Sequence, residues 1–157
     1  MLWFILMKKI LEIIFLVCLW CNVSNSASMI SLQEYVKSNS DYLNDPITKI
    51  YVLKRCAASY LYAVEVTKES SPETSQELAK AYNKAIGSAN KISITEMKLT
   101  KEVALKSLKI DIDNMIKYYK IDGKDFFIRT GYKLLQNYIG EDLLFCKGVV
   151  EKLDKLN

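Results

Sequence analysis

The chain has 157 residues, 22 Lys+Arg against 18 Asp+Glu, a net charge of +4 and no histidine. Without histidine there are no Ser–His or Cys–His nucleophile pairs, no imidazole general base and no histidine-ligated metal. The two signs of charge are interspersed, which argues against the concentrated basic face of a nucleic-acid-binding protein.

At the N-terminus, Met7-Lys8-Lys9 precedes an apolar run from Ile10 to Trp20, broken only by Glu12. The polar, small-residue stretch Asn22 to Ser28 follows. A basic start, a short apolar middle and a small-residue end form a secretory signal peptide. Ser24 and Ser26 suit a cut before Ala27, so residues 1–26 are expected to leave and 27–157 to form one periplasmic or secreted domain. A start at Met7 would supply the usual basic opening. The alternative is a retained anchor over Met1–Val23, long enough for about 30 Å of hydrocarbon. That anchor would bury Lys8, Lys9 and Glu12, which is costly. The rest of the chain has no second charge-free apolar stretch, so no membrane contact is expected once the signal is cleaved.

The domain then reads as helices, with no strand alternation. Ser31-Leu32-Gln33-Glu34 matches a capping box and opens a short helix over Leu32–Ser38. Asp45-Pro46 reads as N-cap and first helical residue, opening a second helix to about Lys68. Ile50, Leu53, Ala57, Tyr60 and Val64 form its inward stripe, flanked by Cys56. From Cys56 to Val66 only Ser59 and Glu65 are neither apolar nor aromatic, so this helix is expected at the centre.

Ser71-Pro72 starts a third helix, expected to about Asn90 or to an earlier end at Gly87. Its inward face is Leu78, Tyr82, Ala85, Ile86 and Ala89. Ser93-Ile94-Thr95-Glu96 matches a second capping box and predicts a fourth helix from Ile94 to about Lys120. Leu105, Leu108, Ile112, Met115, Ile116 and Tyr119 align along it. Asp122-Gly123-Lys124-Asp125 reads as a turn. A fifth helix is expected over Phe126–Tyr138, with Phe127, Gly131, Leu134, Leu135 and Tyr138 inward. The sixth runs from Glu141 to about Lys155, with Cys146, Val149, Val150 and Leu153 inward. The fold class is therefore all-α, a compact bundle of five to six helices.

Of four cysteines, Cys18 and Cys21 fall in the signal segment. Cys56 and Cys146 remain, and in an oxidising compartment they are expected to form one disulfide joining the second helix to the last. That pairing removes thiolate chemistry as well. No phosphate-binding glycine loop occurs. Asp111-Ile112-Asp113-Asn114 lacks the third ligand and the glycine of a calcium loop.

No catalytic residue, cofactor site or metal site is therefore assigned. The carboxylate pairs Asp111/Asp113, Asp122/Asp125 and Glu141/Asp142 leave a hydrolase as the competing class, although each reads more simply as caps and solvated faces. Tyr60 and Tyr62 leave their helix in different directions, and Tyr118 and Tyr119 split into one outward and one inward ring. Tyr62, Tyr118, Arg55 and Arg129 form the candidate binding surface, because exposed Tyr and Arg suit macromolecular contacts.

The segments Cys56-Ala57-Ala58-Ser59-Tyr60 and Phe145-Cys146 resemble those of short cysteine-bridged helical proteins of the bacterial periplasm, some immunity proteins among them. The resemblance covers these residues alone and assigns no family. The expected function is non-catalytic binding of another macromolecule, most simply a protein, as an inhibitor, immunity factor or adapter.

Overall fold

The computed structural model describes residues 29–132, 134 and 137–155. The signal segment 1–26, Leu135 and the side chain of Leu153 lie outside the described residues. The helices are α1 Leu32–Ser38, α2 Pro46–Thr67, α3 Pro72–Thr95, α4 Lys101–Thr130 and α5 Tyr138–Lys155. Helix makes up 81% of this part, so the all-α bundle is what forms.

Caps place the first helix starts where the sequence puts them. Ser31 Oγ accepts the Glu34 N–H at 3.3 Å and opens α1. The Asp45 carboxylate accepts the N–H of Ile47 at 3.4 Å and of Thr48 at 2.8 Å, with Pro46 as the first residue of α2. Each such cap contributes about 1 kcal/mol. Ser71 occupies the corresponding position before α3 but donates to Thr74 Oγ1 at 2.7 Å and caps no backbone N–H.

Three boundaries differ from expectation. Helix α3 runs on through the second capping box to Thr95, because Ser93 Oγ bonds back to Ala89 O at 2.8 Å and caps nothing. The chain reverses at Lys98, with φ +59°, and Thr100 caps α4 through the Val103 N–H at 3.3 Å. Gly87 lies inside α3 rather than ending it.

Asp122-Gly123-Lys124-Asp125 is not a turn but the interior of α4. Gly123 is there for close packing, since a Cβ would lie 2.0 Å from the Tyr62 hydroxyl. The expected fourth helix thus runs on through Phe126–Thr130 of the expected fifth as one helix of 30 residues, and Gly131, expected inward, ends it in the left-handed region at φ +76°, while Tyr138 belongs to the last helix. Last, α5 starts three residues early at Tyr138, where Asn137 Oδ1 accepts the Ile139 N–H at 3.0 Å.

Helix α2 is the axis of the bundle. It packs against α3, α4 and α5, while α1 rests on α5. Leu53, Cys56, Ala57, Ala58 and Ala63 are essentially inaccessible, and the alanines let neighbouring helices approach closely. This crowding also buries both Tyr60 and Tyr62, whereas Tyr51 of the same helix is half-buried. Leu108, Ile112, Ile116 and Tyr119 of α4 close one side of the core, whereas Leu105 and Phe127, expected inward, face solvent at 42% and 44% exposure.

Cys56 and Cys146 form the expected disulfide, with Cα atoms 5.3 Å apart at a sequence separation of 90. It fastens α2 to α5. Closing a loop of this length gives at most about 4–5 kcal/mol on the chain-entropy account.

Candidate functional site

Directly beside the disulfide lies a buried polar centre. Arg55 precedes Cys56 on α2, and Asp142 lies one helical turn before Cys146 on α5. Their side chains form an ion pair with 1% and 0% exposure. Arg55 Nη2 donates to Asp142 Oδ2, Arg55 Nη1 donates to Ile30 O at 2.8 Å, and Arg55 Nε reaches the Tyr119 hydroxyl at 3.5 Å. The Tyr119 hydroxyl donates to Asp142 Oδ2 at 2.5 Å, and the Leu32 N–H donates to Asp142 Oδ1 at 2.5 Å. The segment before α1, α1 itself, α2, α4 and α5 therefore meet in one network.

Desolvation of such a pair is expensive, and only dense hydrogen bonding offsets it. Burial works against the Arg55 charge, but the facing Tyr119 and Asp142 oxygens outweigh it and raise its pKa. Burial pushes the Asp142 carboxyl above its ordinary value, although Arg55, Tyr119 and the Leu32 N–H pull it back in part. The Tyr119 phenol is held well above its ordinary value by burial and by the Asp142 charge.

Aromatic rings extend the centre. Tyr119 stacks between Tyr62 at 6.2 Å and Tyr138 at 5.8 Å between ring centroids. The Tyr138 hydroxyl donates to Asp122 Oδ2 at 2.6 Å. Arg55, Asp142 and Tyr119 are fully buried, Tyr138 and Asp122 at the edge are half-buried, and Tyr62 reaches the wall of a surface groove.

The four residues of the expected binding surface separate. Arg55 and Tyr62 are buried, at 0% and 7% exposure, and leave that surface. Arg55 is drawn inside by Asp142, which the sequence reading placed on a solvated helix end. Tyr62 is drawn inside by the gap over Gly123. Tyr118 stays outside at 53% exposure, and Arg129 is exposed, its Nε donating to Asp125 O at 3.2 Å in the last turn of α4.

Tyr118 and Arg129 flank a feature the sequence reading missed. Val103, Ile110, Ile121 and Ile128 are exposed by 51%, 51%, 52% and 69%. At 100° per residue they fall within about 20° of one line on α4. The line runs opposite the buried Leu108, Ile112, Ile116 and Tyr119. Along the helix they are separated by Ser107, Asn114, Lys117 and Lys124, so the face alternates exposed aliphatic and polar positions. Among the described residues no element covers this row.

Two open grooves also occur. One, of about 300 Å³, lies between α2 and α4 and is lined by Tyr62, Glu65, Glu69, Lys120, Lys124 and Phe127 among others. The other, of about 340 Å³, is floored by Tyr60 and rimmed by Glu77, Lys80, Lys84, Lys147 and Glu151. Neither is lined by any of the carboxylate pairs singled out in the sequence. Asp111 is held by Lys54 at 2.5 Å, Asp122 by Tyr138, and Asp142 by Arg55. Among the described residues no group of three or more Cys, Asp or Glu is arranged to hold a metal, and no helix is long and apolar enough to cross a membrane. Comparison with protein-family models, curated proteins and solved structures finds no match to this chain.

Proposed function

We propose that this chain is an exported, non-catalytic helical protein that binds a partner protein through the outer face of α4. The observation that carries the reading is the row Val103, Ile110, Ile121 and Ile128, each about half or more exposed along a single helix face. A row of this kind suits helix-to-helix docking, in which aliphatic side chains supply contact and flanking polar groups supply specificity. Tyr118 and Arg129 stand at its edge with the chemistry enriched at binding centres. Export is supported by the order of residues 1–26 and by the Cys56–Cys146 bond, which suits an oxidising compartment. Binding of inhibitor, immunity or adapter type needs no more than such a surface on a rigid body.

The test is affinity capture from the native envelope fraction with the wild type and with Ile110→Lys/Ile121→Lys. The double variant is expected to keep its circular dichroism and melting curve and to lose the captured partner. Undiminished capture by the variant would remove α4 from the reading. Substrate turnover abolished by a single Asp or Glu substitution would replace binding with hydrolysis.

A further inference from the structure

Resting on that docking reading, we infer that the partner is a second copy of this chain, laid antiparallel on the same face of α4. The row itself is palindromic. Val103, Ile110, Ile121 and Ile128 are spaced by seven, eleven and seven residues, so the order reads alike from either end. Place a two-fold axis level with the peptide between Met115 and Ile116. Val103 then meets the partner's Ile128, and Ile110 meets the partner's Ile121. The seam extends about 38 Å at 1.5 Å per residue.

The polar positions between these layers match under the same operation. Ser107 meets the partner's Lys124, and Asn114 meets the partner's Lys117. Within one chain the Lys117 ammonium already donates to Asn114 Oδ1 at 3.3 Å, so the two groups are suited to bond across the axis. On one flank Asp113 stands two residues off the level of the partner's Lys120, near enough for an opposite-charge pair that symmetry makes twice. On the other flank Asp111 stands two residues off the level of the partner's Tyr118. Lys120 and Asp111 have partners inside the chain, Glu65 at 2.8 Å and Lys54 at 2.5 Å, but Glu65, Lys120 and Asp111 are each at least 40% exposed and open to a further bond.

A parallel pairing would set Lys117 level with the partner's Lys117 and Lys124 level with the partner's Lys124, whereas the antiparallel pairing offsets them by three and seventeen residues. Like charges in an interface select against that arrangement. The bodies of the two bundles lie on opposite sides of the paired helices, so nothing in the described fold obstructs the contact.

Sedimentation equilibrium of the purified full chain is expected to give a reversible dimer, and Ile110→Lys/Ile121→Lys a monomer with unchanged helical circular dichroism. Orientation is read by mixing Val103→Cys with Ile128→Cys under mild oxidation, with the wild type as control for its own cysteines. The mixture is expected to cross-link between the two variants, while neither variant cross-links to itself. A wild type that stays monomeric, a double Lys variant that stays dimeric, or Val103→Cys linking to itself would each overturn the proposal. A monomeric wild type whose partner capture is still lost on Ile110→Lys/Ile121→Lys would overturn the second copy alone and leave α4 docking in place.

Discussion

The centre of this molecule and the outer face of α4 invert the usual arrangement. Inside are an arginine, an aspartate and stacked tyrosines, the ion pair with 1% and 0% exposure. Outside is a row of aliphatic side chains, up to 69% exposed at Ile128. The contrast lies in partners. Each polar atom at the centre is met from another segment, so burial is tolerated. The aliphatic row keeps about half or more of its surface open in the described fold, and on the proposed reading that surface is left for another molecule. The same substitution chemistry should therefore act on stability at the centre and on association at the rim.

The sharpest way to break the comparison is Asp142→Ala. It strands the Arg55 charge in the core and frees the Leu32 N–H, and should cost about 3–5 kcal/mol in chemical denaturation. Arg55→Met/Asp142→Leu should recover most of that loss, because removing both charges removes the unmatched one. If the single and double variants lose equally, the centre is held by shape rather than by charge.

Next is the covalent neighbour of that pair. Cys56→Ser/Cys146→Ser should lower stability by about 2–4 kcal/mol and leave the helical circular dichroism intact. Intact mass with and without alkylation checks the bond itself.

Alkali should act on the buried tyrosines. Burial, with Glu151 nearby, pushes the Tyr60 phenol from 10.0 up to about 12. Tyr62, Tyr119 and Tyr138 are shifted the same way, burial first among the causes. A raised folded pKa binds protons more tightly in the native state. The contribution is therefore whole below pH 10 and is lost as pH rises through the folded values. For Tyr60 the shift corresponds to about 3 kcal/mol, at 1.36 kcal/mol per unit. Denaturant titrations at neutral pH and above pH 10 should show this fall, and a flat profile would place these hydroxyls in contact with water.

The smallest effect on stability belongs to the rim. Ile110→Lys and Ile121→Lys should each change it by no more than about 0.5 kcal/mol, since neither side chain packs in the core. Calorimetry that shows a much larger loss would mean that these side chains are covered within the fold.

Much of the architecture was legible because its signals are local. Asp45-Pro46 and the Ser31 capping box state helix starts in three or four residues, and the crowded Cys56–Val66 stretch states that α2 is central. The Cys56–Cys146 pair was legible by elimination. What failed depended on contacts between distant residues. Gly123 looks like a turn until Tyr62 is seen above it, and Arg55 looks like a surface residue until Asp142 faces it. The first error also hid the outer row. With a turn read at Asp122–Asp125, Ile121 fell just past the end of one helix and Ile128 belonged to another, and the seven–eleven–seven spacing disappeared.

Helix α1 has only seven residues, too few to persist alone in water. Its first N–H is held by the carboxylate of Asp142, 110 residues further along the chain. The segment made early in synthesis therefore cannot settle until nearly the last one has arrived.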